Sequence, residues 1–372
     1  MARLELPVDS KVFYNPKMGI NRDLAVLFIG AHFSHSKKLR LCDPTTGSGV
    51  RTARYLLETG NVAYAVAADR DPEAAELAAL TIKLNALEDR TVVVHADVHT
   101  LLSQHYTDRF DVVDLDPFGS PTAFFDSALR ATASDGVIAA TATDMGPLSG
   151  ARPGACIRKY GVWPVGVEFE KELAVRTLAS CLVRTAATLE LGIDIAFSHA
   201  TDHYARLYAV VSKGRKAANE SLTKLGYLSY CPTCLHRSES RDLCLIQTSC
   251  ARCAAQCKVG GPFWLGSLWQ RHTVESMIQR TPTLSQARIS EVQKILHRVH
   301  EEIDSAQFYY TTGRVASVHH VKPPELALLI HSLRKHGYNA SRTHFNPTGF
   351  RTNATLDAIV DSFRLVAEKP QP

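Results

Sequence analysis

The segment at residues 114–121, Asp-Leu-Asp-Pro-Phe-Gly-Ser-Pro, carries groups that could orient an amine. It follows Phe-Asp-Val-Val, an apolar run typical of a buried strand, and Pro117 would end that strand. The Asp116 carboxylate and the Pro117 carbonyl could each accept an N–H hydrogen bond, and Phe118 could stack on an aromatic base. The alternative is a strand followed by an ordinary Pro-Gly turn, and the octapeptide alone leaves both interpretations open.

Such a turn suits methyl transfer to the exocyclic amine of a base. The amine is a poor nucleophile because its lone pair is delocalised into the ring, so an active site must hold the lone pair out of the ring plane. Two acceptors can impose that geometry, and a nearby carboxylate stabilises the positive charge that develops on nitrogen and can accept its proton. The turn therefore predicts an amino-group methyltransferase, provided that a methyl-donor site lies beside it.

Acidic residues and a glycine loop predict that donor site. Asp43, Asp69 and Asp97 each end or follow a strand-like segment upstream of residue 114. Asp69 lies twenty residues beyond Gly49, a separation at which an acid can accept hydrogen bonds from ribose hydroxyls. Asp97 could accept from an adenine amine, and its alternative role is the N-cap of a following helix.

The glycine loop is residues 44–51, Pro-Thr-Thr-Gly-Ser-Gly-Val-Arg, in which Gly47 and Gly49 would let the backbone approach a ligand closely. It lacks the full three-glycine dinucleotide spacing, and the chain has no Gly-x-x-x-x-Gly-Lys-Ser/Thr phosphate loop. Three acids at strand ends would repel a polyphosphate. A neutral or cationic nucleoside cofactor fits better, which favours S-adenosylmethionine over NAD.

Alternating strand and helix patterns place these residues at one edge of a sheet. Five strand-like segments are each followed by a helical segment, which predicts a parallel, doubly wound sheet. Two further strands bring the number to seven, with the last pair antiparallel. Asn21 or Asp23 is expected to cap the helix before the first strand. The predicted strands are residues 39–43, 63–68, 91–96, 110–113, 136–142, 193–198 and 207–211, and the predicted first helix is 24–33.

At 372 residues the chain is long enough for two domains, each with its own core. Because the composition shifts at the basic residues 212–216, we expect a Rossmann-like class I methyltransferase domain over residues 1–212 and a smaller α+β domain over 213–372. The net charge of +5 permits a polyanionic partner without demonstrating one. No apolar run reaches about 18 residues, and the N-terminus lacks the apolar core of a signal peptide. We expect a cytoplasmic protein with no membrane contact and no obligatory protein partner.

Six of the nine cysteines lie between Cys231 and Cys257. Two Cys-x-x-Cys pairs are separated by fifteen residues, a spacing that suits a tetrahedral zinc site. Four thiolates would leave no open position for substrate, so the predicted zinc is structural. Cys244 and Cys257 are extra thiols whose role the sequence leaves open. The predicted zinc ligands are Cys231, Cys234, Cys250 and Cys253.

Basic residues near the C-terminus could contact RNA. Arg342, Thr343, His344 and Arg351 would supply donors for phosphate and sugar oxygens beside aromatic residues, and the alternative is a solvated polar strand. The turn at residues 201–206 offers the same choice for His203 and Arg206, as an RNA contact or a polar turn.

Motifs spread over almost the whole chain resemble those of one known family. They are Phe-Tyr-Asn-Pro at 13–16 with Asn-Arg-Asp at 21–23, the octapeptide at 114–121, Thr-Ala-Thr-Asp at 141–144, Arg-Lys-Tyr-Gly at 158–161, Thr-Asp-His-Tyr at 201–204, the Cys-x-x-Cys pairs, Gly-Pro-Phe-Trp-Leu-Gly at 261–266 and Ala-Ser-Arg-Thr-His-Phe at 340–345. In these motifs the chain resembles the tRNA (guanine-26-N2) dimethyltransferase family, in its archaeal form.

The resemblance implies S-adenosylmethionine as methyl donor, tRNA as substrate, and one or two methyl groups on the guanine N2 amine. It also implies that the base is extruded from the folded tRNA. From the residues and the resemblance together, the expected catalytic residues are Asp116, Pro117 and Phe118; the expected cofactor contacts are Arg22, Asp43, Gly47, Gly49, Arg51, Asp69, Asp97 and the backbone of Val98; and the expected RNA contacts are Tyr14, Asn15, His203, Arg342 and His344.

Three other interpretations remain open at this stage. The same chemistry could act on another tRNA guanine or stop at one methyl group. A DNA amino-methyltransferase is compatible with the Asp-Pro-Phe turn, although the cysteine pairs and the C-terminal motif argue against it. A catalytically idle RNA-binding protein is disfavoured by the intact set of Asp69, Asp97 and Asp116.

Overall fold

The computed structural model describes residues 2–5, 12–33, 36–284 and 288–367, and none of the helices within these ranges is long and apolar enough to cross a membrane. The strands are β1 Leu39–Asp43, β2 Val62–Asp69, β3 Thr91–His95, β4 Phe110–Leu115, β5 Thr132–Ala142, β6 Leu191–Thr201, β7 Tyr204–Lys213, β8 Leu225–Tyr230, β9 Arg237–Ser240, β10 Lys258–Trp264, β11 Tyr310–Thr311, β12 Ala340–Arg342 and β13 Gly349–Thr352. The helices are α1 Gly19–His32, α2 Val50–Glu58, α3 Pro72–Leu84, α4 Val98–Ser103, α5 Phe125–Ala131, α6 Met145–Leu148, α7 Pro153–Tyr160, α8 Glu170–Thr188, α9 Arg215–Leu222, α10 Arg271–Arg280, α11 Ile289–Glu302, α12 Thr312–His319, α13 Leu326–Lys335 and α14 Leu356–Ala367.

A seven-stranded sheet forms the centre of the methyltransferase half, in the order β3-β2-β1-β4-β5-β7-β6. Strands β1 to β5 pair in parallel, and β7 lies antiparallel between β5 and β6. This confirms the predicted α/β class with an antiparallel last pair. The strand order reverses between β1 and β4. At such a switch point, ligands of open α/β sheets bind in the crevice outside the carboxyl ends of the strands.

The C-terminal half adds two three-stranded antiparallel sheets, β10-β8-β9 and β11-β13-β12. Its apolar residues join those of the large sheet in one continuous core, with α8 packed against both β6 and β10. Helix α9, which follows the predicted boundary at residue 212, also packs on β6 and α8. The division into domains 1–212 and 213–372 therefore stays a prediction.

Helix α1 begins five residues earlier than the sequence pattern indicated, so the predicted capping role of Asn21 or Asp23 is wrong. Both residues lie inside the helix and are buried. The Asn21 side chain accepts a hydrogen bond from Arg51, and Asp23 forms ion pairs with Arg54 and Arg288. These contacts satisfy the Asn21 side-chain oxygen and the Asp23 carboxylate, which the sequence suggested would lie at an exposed helix end.

Candidate active site and cysteine cluster

The glycine loop connects β1 to α2 at the crevice. The Thr46 N–H donates to the Ala68 carbonyl of β2, which fixes the loop against the neighbouring strand. Gly49 has a φ of 73° and lies so close to α3 that an added Cβ would be 2.8 Å from the Cα of Ala78. Gly47 has a φ of 54° but faces open space, so its backbone is accessible to a ligand.

Two of the predicted cofactor acids, Asp69 and Asp97, lie at the carboxyl ends of the neighbouring strands β2 and β3. Asp69 accepts hydrogen bonds from the Gly47 N–H (2.9 Å) and the Asp71 N–H (3.1 Å) at the end of β2. Asp97 is exposed and caps α4, accepting from the His99 N–H, so its alternative role as an N-cap is present in the structure. Val98 is the first residue of α4, and its N–H has no acceptor within the helix.

Asp43 lies behind the loop rather than on its surface. Its carboxylate is buried and accepts hydrogen bonds from the Thr46 hydroxyl (3.1 Å) and the Thr52 hydroxyl (2.8 Å). Burial and, secondarily, the nearby Asp114 carboxylate raise the pKa of Asp43 to about 7. In this structure Asp43 braces the glycine loop, and a direct contact with a cofactor stays a prediction.

The Asp-Pro-Phe-Gly turn follows β4 immediately, as predicted. The Asp116 N–H donates to the Thr45 hydroxyl of the glycine loop (3.0 Å), which ties the turn to the crevice. Gly119, with a φ of 79°, donates its N–H to the Thr143 hydroxyl and accepts from the Thr143 N–H. The turn is thus anchored between the tips of β1 and β5.

Arg51 connects the glycine loop to the turn. Its guanidinium forms an ion pair with the Asp116 carboxylate, donates to Asn21 (2.9 Å) and lies 3.8 Å from Asp114. Burial lowers the pKa of Arg51, but the two carboxylates outweigh burial and raise it above its ordinary value. The Asp116 side chain is 20% exposed, so one face of the carboxylate still meets the crevice.

Asp114 and Arg206 form a fully buried ion pair beneath the turn. Both Asp114 oxygens accept from the Arg206 guanidinium (2.8 and 2.9 Å), and Tyr55 donates its hydroxyl to the same carboxylate. Burial would raise the pKa of Asp114, but Arg206 and Arg51 outweigh burial and lower it. The proposed RNA contact of Arg206 is wrong, because its side chain is 0% exposed.

Two exposed aromatic rings flank the turn. Phe118 is 78% exposed, and the edge of its ring meets Phe13 at a centroid distance of 5.4 Å. Phe13 was not among the predicted site residues, although it begins the Phe-Tyr-Asn-Pro motif. The signal that the sequence offered for Phe13 was an aromatic residue just ahead of an Asn-Pro turn. Two neighbouring solvent-exposed aromatic rings offer a surface on which a base could stack.

Arg22 is a buried cation without a carboxylate partner. It is 8% exposed, and its guanidinium donates to the Tyr14 hydroxyl and the Asn15 carbonyl, both at 3.2 Å. Within the described part of the chain no carboxylate lies within 4 Å of it. Burial lowers the pKa of Arg22 to about 10. The neighbouring Arg51 and Arg54 cations add to the lowering, while Tyr14 and Asp116 oppose it. Such a group is suited to an anionic ligand.

Four cysteine thiols converge in the C-terminal half. Two Sγ pairs, Cys231–Cys253 and Cys234–Cys250, are each 3.5 Å apart, and all four Sγ atoms lie within 4.8 Å of one another. Tetrahedral zinc with bonds of about 2.3 Å requires S–S distances of about 3.8 Å, so the two 3.5 Å pairs lie close to that spacing and the four thiols form a candidate site. The buried Cys257 packs beside the cluster, and Cys244 is exposed.

A family model described as N2,N2-dimethylguanosine tRNA methyltransferase matches residues 2–364. The chain belongs to this dimethylguanosine methyltransferase family. The family predicted from the motifs is therefore confirmed, and the idle RNA-binding and DNA-methyltransferase interpretations are not needed.

Relatives in the dimethylguanosine methyltransferase family align with nearly the whole chain. A tRNA (guanine(26)-N(2))-dimethyltransferase of Methanobrevibacter smithii is 34% identical over 361 residues, which cover 96% of this chain and 92% of that protein. A tRNA (guanine(26)-N(2)/guanine(27)-N(2))-dimethyltransferase of Aquifex aeolicus is 32% identical over 358 residues, covering 95% and 89%. The structure of Trm1 from Pyrococcus horikoshii with S-adenosyl-L-methionine superimposes with a TM-score of 0.87 at 31% identity, covering 97% of each chain.

The residues expected to contact RNA in this family member fall into two groups. His203, Tyr14, Asn15 and Arg342 are wholly or partly exposed, and their contacts stay predictions. His344 is a correction: its side chain is 1% exposed and contacts Glu302 at 2.7 Å. Thr343 and Arg351, also considered as RNA donors, are buried and bond to the same carboxylate.

Proposed function

We propose that this chain transfers methyl groups from S-adenosylmethionine to the N2 amine of guanine 26 in tRNA, giving N2,N2-dimethylguanosine. The observation that carries the proposal is the Asp116–Pro117 turn, which lies between an acid-lined glycine loop and two exposed aromatic rings in a chain that matches the family over nearly its full length. Because the Aquifex aeolicus relative is also named for guanine 27, that position is the alternative target.

The crevice fits S-adenosylmethionine. Arg22 would hold the carboxylate of the methionine moiety, because it is a buried cation with no acidic partner in the described residues. Asp69 would accept from the ribose hydroxyls beside the open Gly47, while Asp97 and the Val98 N–H would meet the adenine. When bound, the cofactor supplies an electrophilic methyl group.

The turn would orient and activate the guanine amine. Asp116 and the Pro117 carbonyl accept its two N–H groups, so that the nitrogen lone pair points away from the ring plane. Asp116 stabilises the positive charge that develops on nitrogen and accepts the proton. Phe118 and Phe13 stack on the base and hold it in line for displacement. After the first transfer, the remaining N–H of the monomethyl product rotates onto the same acceptors.

Arg51 and Asp114 would serve as positioning residues. Arg51 holds the Asp116 carboxylate through an ion pair, and the buried pair of Asp114 and Arg206 fixes Arg51 in turn. This support limits the rotation of Asp116 before substrate arrives, which lowers the cost of orienting it. A cofactor contact from Arg51 is compatible with this role because its guanidinium has five donors.

The cysteine cluster would bind one structural zinc ion through Cys231, Cys234, Cys250 and Cys253. We propose that the half of the chain containing it binds tRNA. A cytoplasmic location and the absence of an obligatory protein partner stay predictions from the sequence.

Replacing Asp116 with Asn tests the catalytic assignment. Asn keeps the size of the side chain but cannot accept the proton, so kcat should fall by about 10²–10⁴-fold. Titration calorimetry should give an S-adenosylmethionine affinity close to that of the unsubstituted protein. The matched control is Asp108→Asn. Asp108 is an exposed acid just before the start of β4, far from the turn that follows the strand, so this substitution should leave kcat unchanged. Near-normal turnover by the Asp116 variant would refute its assignment.

A further inference from the structure

A groove of about 450 Å³ lies outside the crevice, between the segment that leads into α1, the turn between β6 and β7, and helix α11. Its floor is formed by Pro16, Ile20, Thr201 and Ile295. Charged side chains line its walls. They are Lys17, Asp202, Arg288, Glu291, Lys294 and Arg298.

Helix α11 presents its basic face to this groove. Val292, Leu296 and Val299 point into the core, whereas Lys294 and Arg298, one turn apart, lie on the opposite face. Burial lowers the pKa of Arg298, and the nearby Arg342 of β12 adds to the lowering, while Glu302 and Glu301 oppose it. Two guanidinium groups that repel each other at one site favour the binding of an anion between them.

These cations lack acidic partners in the part of the chain that the structure describes. No carboxylate lies within 4 Å of Lys17, Lys294, Arg298 or Arg342, although most other arginines of the C-terminal half form ion pairs or hydrogen bonds. The groove contains two acids, Asp202 and Glu291, and Arg288 is paired with Asp23 from α1. With Arg342 included, the unpaired cations outnumber these two acids by two.

The groove begins close to the catalytic turn. Phe13, which touches Phe118, is four residues from Lys17, and four extended residues span at most about 14 Å. The intervening Asn15 bonds to Lys17 and to the buried Arg22, so this connection has a defined conformation. The phosphate backbone of a nucleic acid whose base enters the turn therefore passes within reach of Lys17.

We propose that this groove binds the phosphate backbone of the tRNA strand that flanks the target guanine, through Lys17, Lys294, Arg298 and Arg342. The inference rests on the proposed function, because it takes the same tRNA as ligand. Phosphate contacts set the position and orientation of a nucleic acid without reading its sequence. The groove thus positions the strand, while the aromatic pair and Asp116 act on the base.

The test compares Lys294→Ala/Arg298→Ala with the unsubstituted protein on an unmodified tRNA transcript. The Kd for the transcript should rise roughly tenfold, and KM for tRNA should rise with kcat nearly unchanged, since phosphate contacts weaken binding uniformly. The slope of log K against log salt concentration should fall in magnitude by about 1.4–1.8 for two lost contacts.

Lys38→Ala/Lys83→Ala is the matched control, because these exposed lysines lie before β1 and near the end of α3, at the opposite edge of the sheet. This control should bind the transcript as the unsubstituted protein does. Calorimetry with S-adenosylmethionine verifies that each variant is folded. If the double variant is unfolded, Lys294→Ala alone should still lower the slope by about 0.7–0.9, because that side chain is exposed.

An unchanged Kd and salt slope in the folded groove variants would overturn the proposal. If the unsubstituted protein methylates the transcript while the groove variants behave normally, only the groove assignment fails. If the unsubstituted protein binds the transcript through the groove but methylates no guanine, the proposed function fails instead.

Discussion

At the scale of single residues, the site depends on a few close contacts between the glycine loop and the catalytic turn. Thr45 holds the Asp116 backbone, and Arg51 holds its carboxylate. The sequence pattern identified Asp116 because it follows a strand and precedes proline. It did not indicate that Arg51 would reach Asp116, since the two are 65 positions apart and meet only through the pairing of β1 with β4.

Gly49 provides a prediction at this scale. Gly49→Ala places a Cβ 2.8 Å from the Cα of Ala78 at a positive φ, whereas Gly47→Ala meets open space at a positive φ. Gly47→Ala should lower the free energy of unfolding by about 1–2 kcal/mol through backbone strain alone. Gly49→Ala should cost about 1–3 kcal/mol more, because α3 must shift. Urea unfolding without ligand measures both values, and equal losses would contradict the packing argument.

At the scale of elements, tight turns and buried ion pairs stabilise the C-terminal half. The first Cys-x-x-Cys pair follows β8. Both pairs form the same turn, because the Leu235 N–H donates to the Cys231 carbonyl and the Ala254 N–H donates to the Cys250 carbonyl. The sequence spacing predicted which four thiols converge. It left the role of Cys257 open, and the geometry places this thiol beside the cluster.

Metal content tests the cysteine assignment. Protein purified without chelator should contain about one zinc ion per chain, as expected for one four-thiolate site. Cys250→Ser should lose most of the zinc and lower the thermal midpoint, because metal binding is coupled to folding. Cys244→Ser and Cys257→Ser should retain the ion. Elemental analysis measures the zinc content of the four proteins. An unsubstituted protein without zinc would contradict the assignment of the four thiols as a zinc site.

Glu302 is the centre of a buried ion-pair network in the C-terminal half. It lies at the end of α11 and is fully buried against Arg351 and His344, while Arg351 also pairs with Glu172 of α8. Burial would raise the pKa of Glu302, but His344 and Arg351 outweigh it and lower the pKa to about 2. The lowered pKa means that the stability from this carboxylate is complete above pH 4.5 and is lost as the pH falls from 4.5 toward about 2.

Glu302→Gln should therefore lower the free energy of unfolding at neutral pH by about 3–5 kcal/mol, because it removes one of the two carboxylates that pair with the buried Arg351. The loss should shrink as the pH falls from 4.5 toward 2. Asp304→Asn is the matched control, since this exposed acid pairs with Arg271 at the surface and should change stability by no more than about 1 kcal/mol. Equal effects of the two substitutions on urea unfolding would contradict the buried network.

At the scale of the whole molecule, the methyltransferase fold was predictable because its strands β1 to β5 are largely apolar and each is followed by a helix. The catalytic turn, the glycine loop and the cysteine cluster were predictable because each is local in sequence. His344 was not, because its burial depends on α11 and β13, which are distant in sequence. Among the basic residues assigned to the groove, Arg342 was predicted to contact RNA. Lys17, Lys294 and Arg298 were missed, since they come together only in the folded chain.

The central claim is methyl transfer to guanine 26 of tRNA. The direct measurement incubates the protein and S-adenosylmethionine with two unmodified tRNA transcripts, one with guanine and one with adenine at position 26, followed by nuclease mapping and mass spectrometry. We predict N2,N2-dimethylguanosine at position 26 of the first transcript and none in the second. Absence of methylated guanosine from the first transcript, or equal methylation of both, would contradict the account.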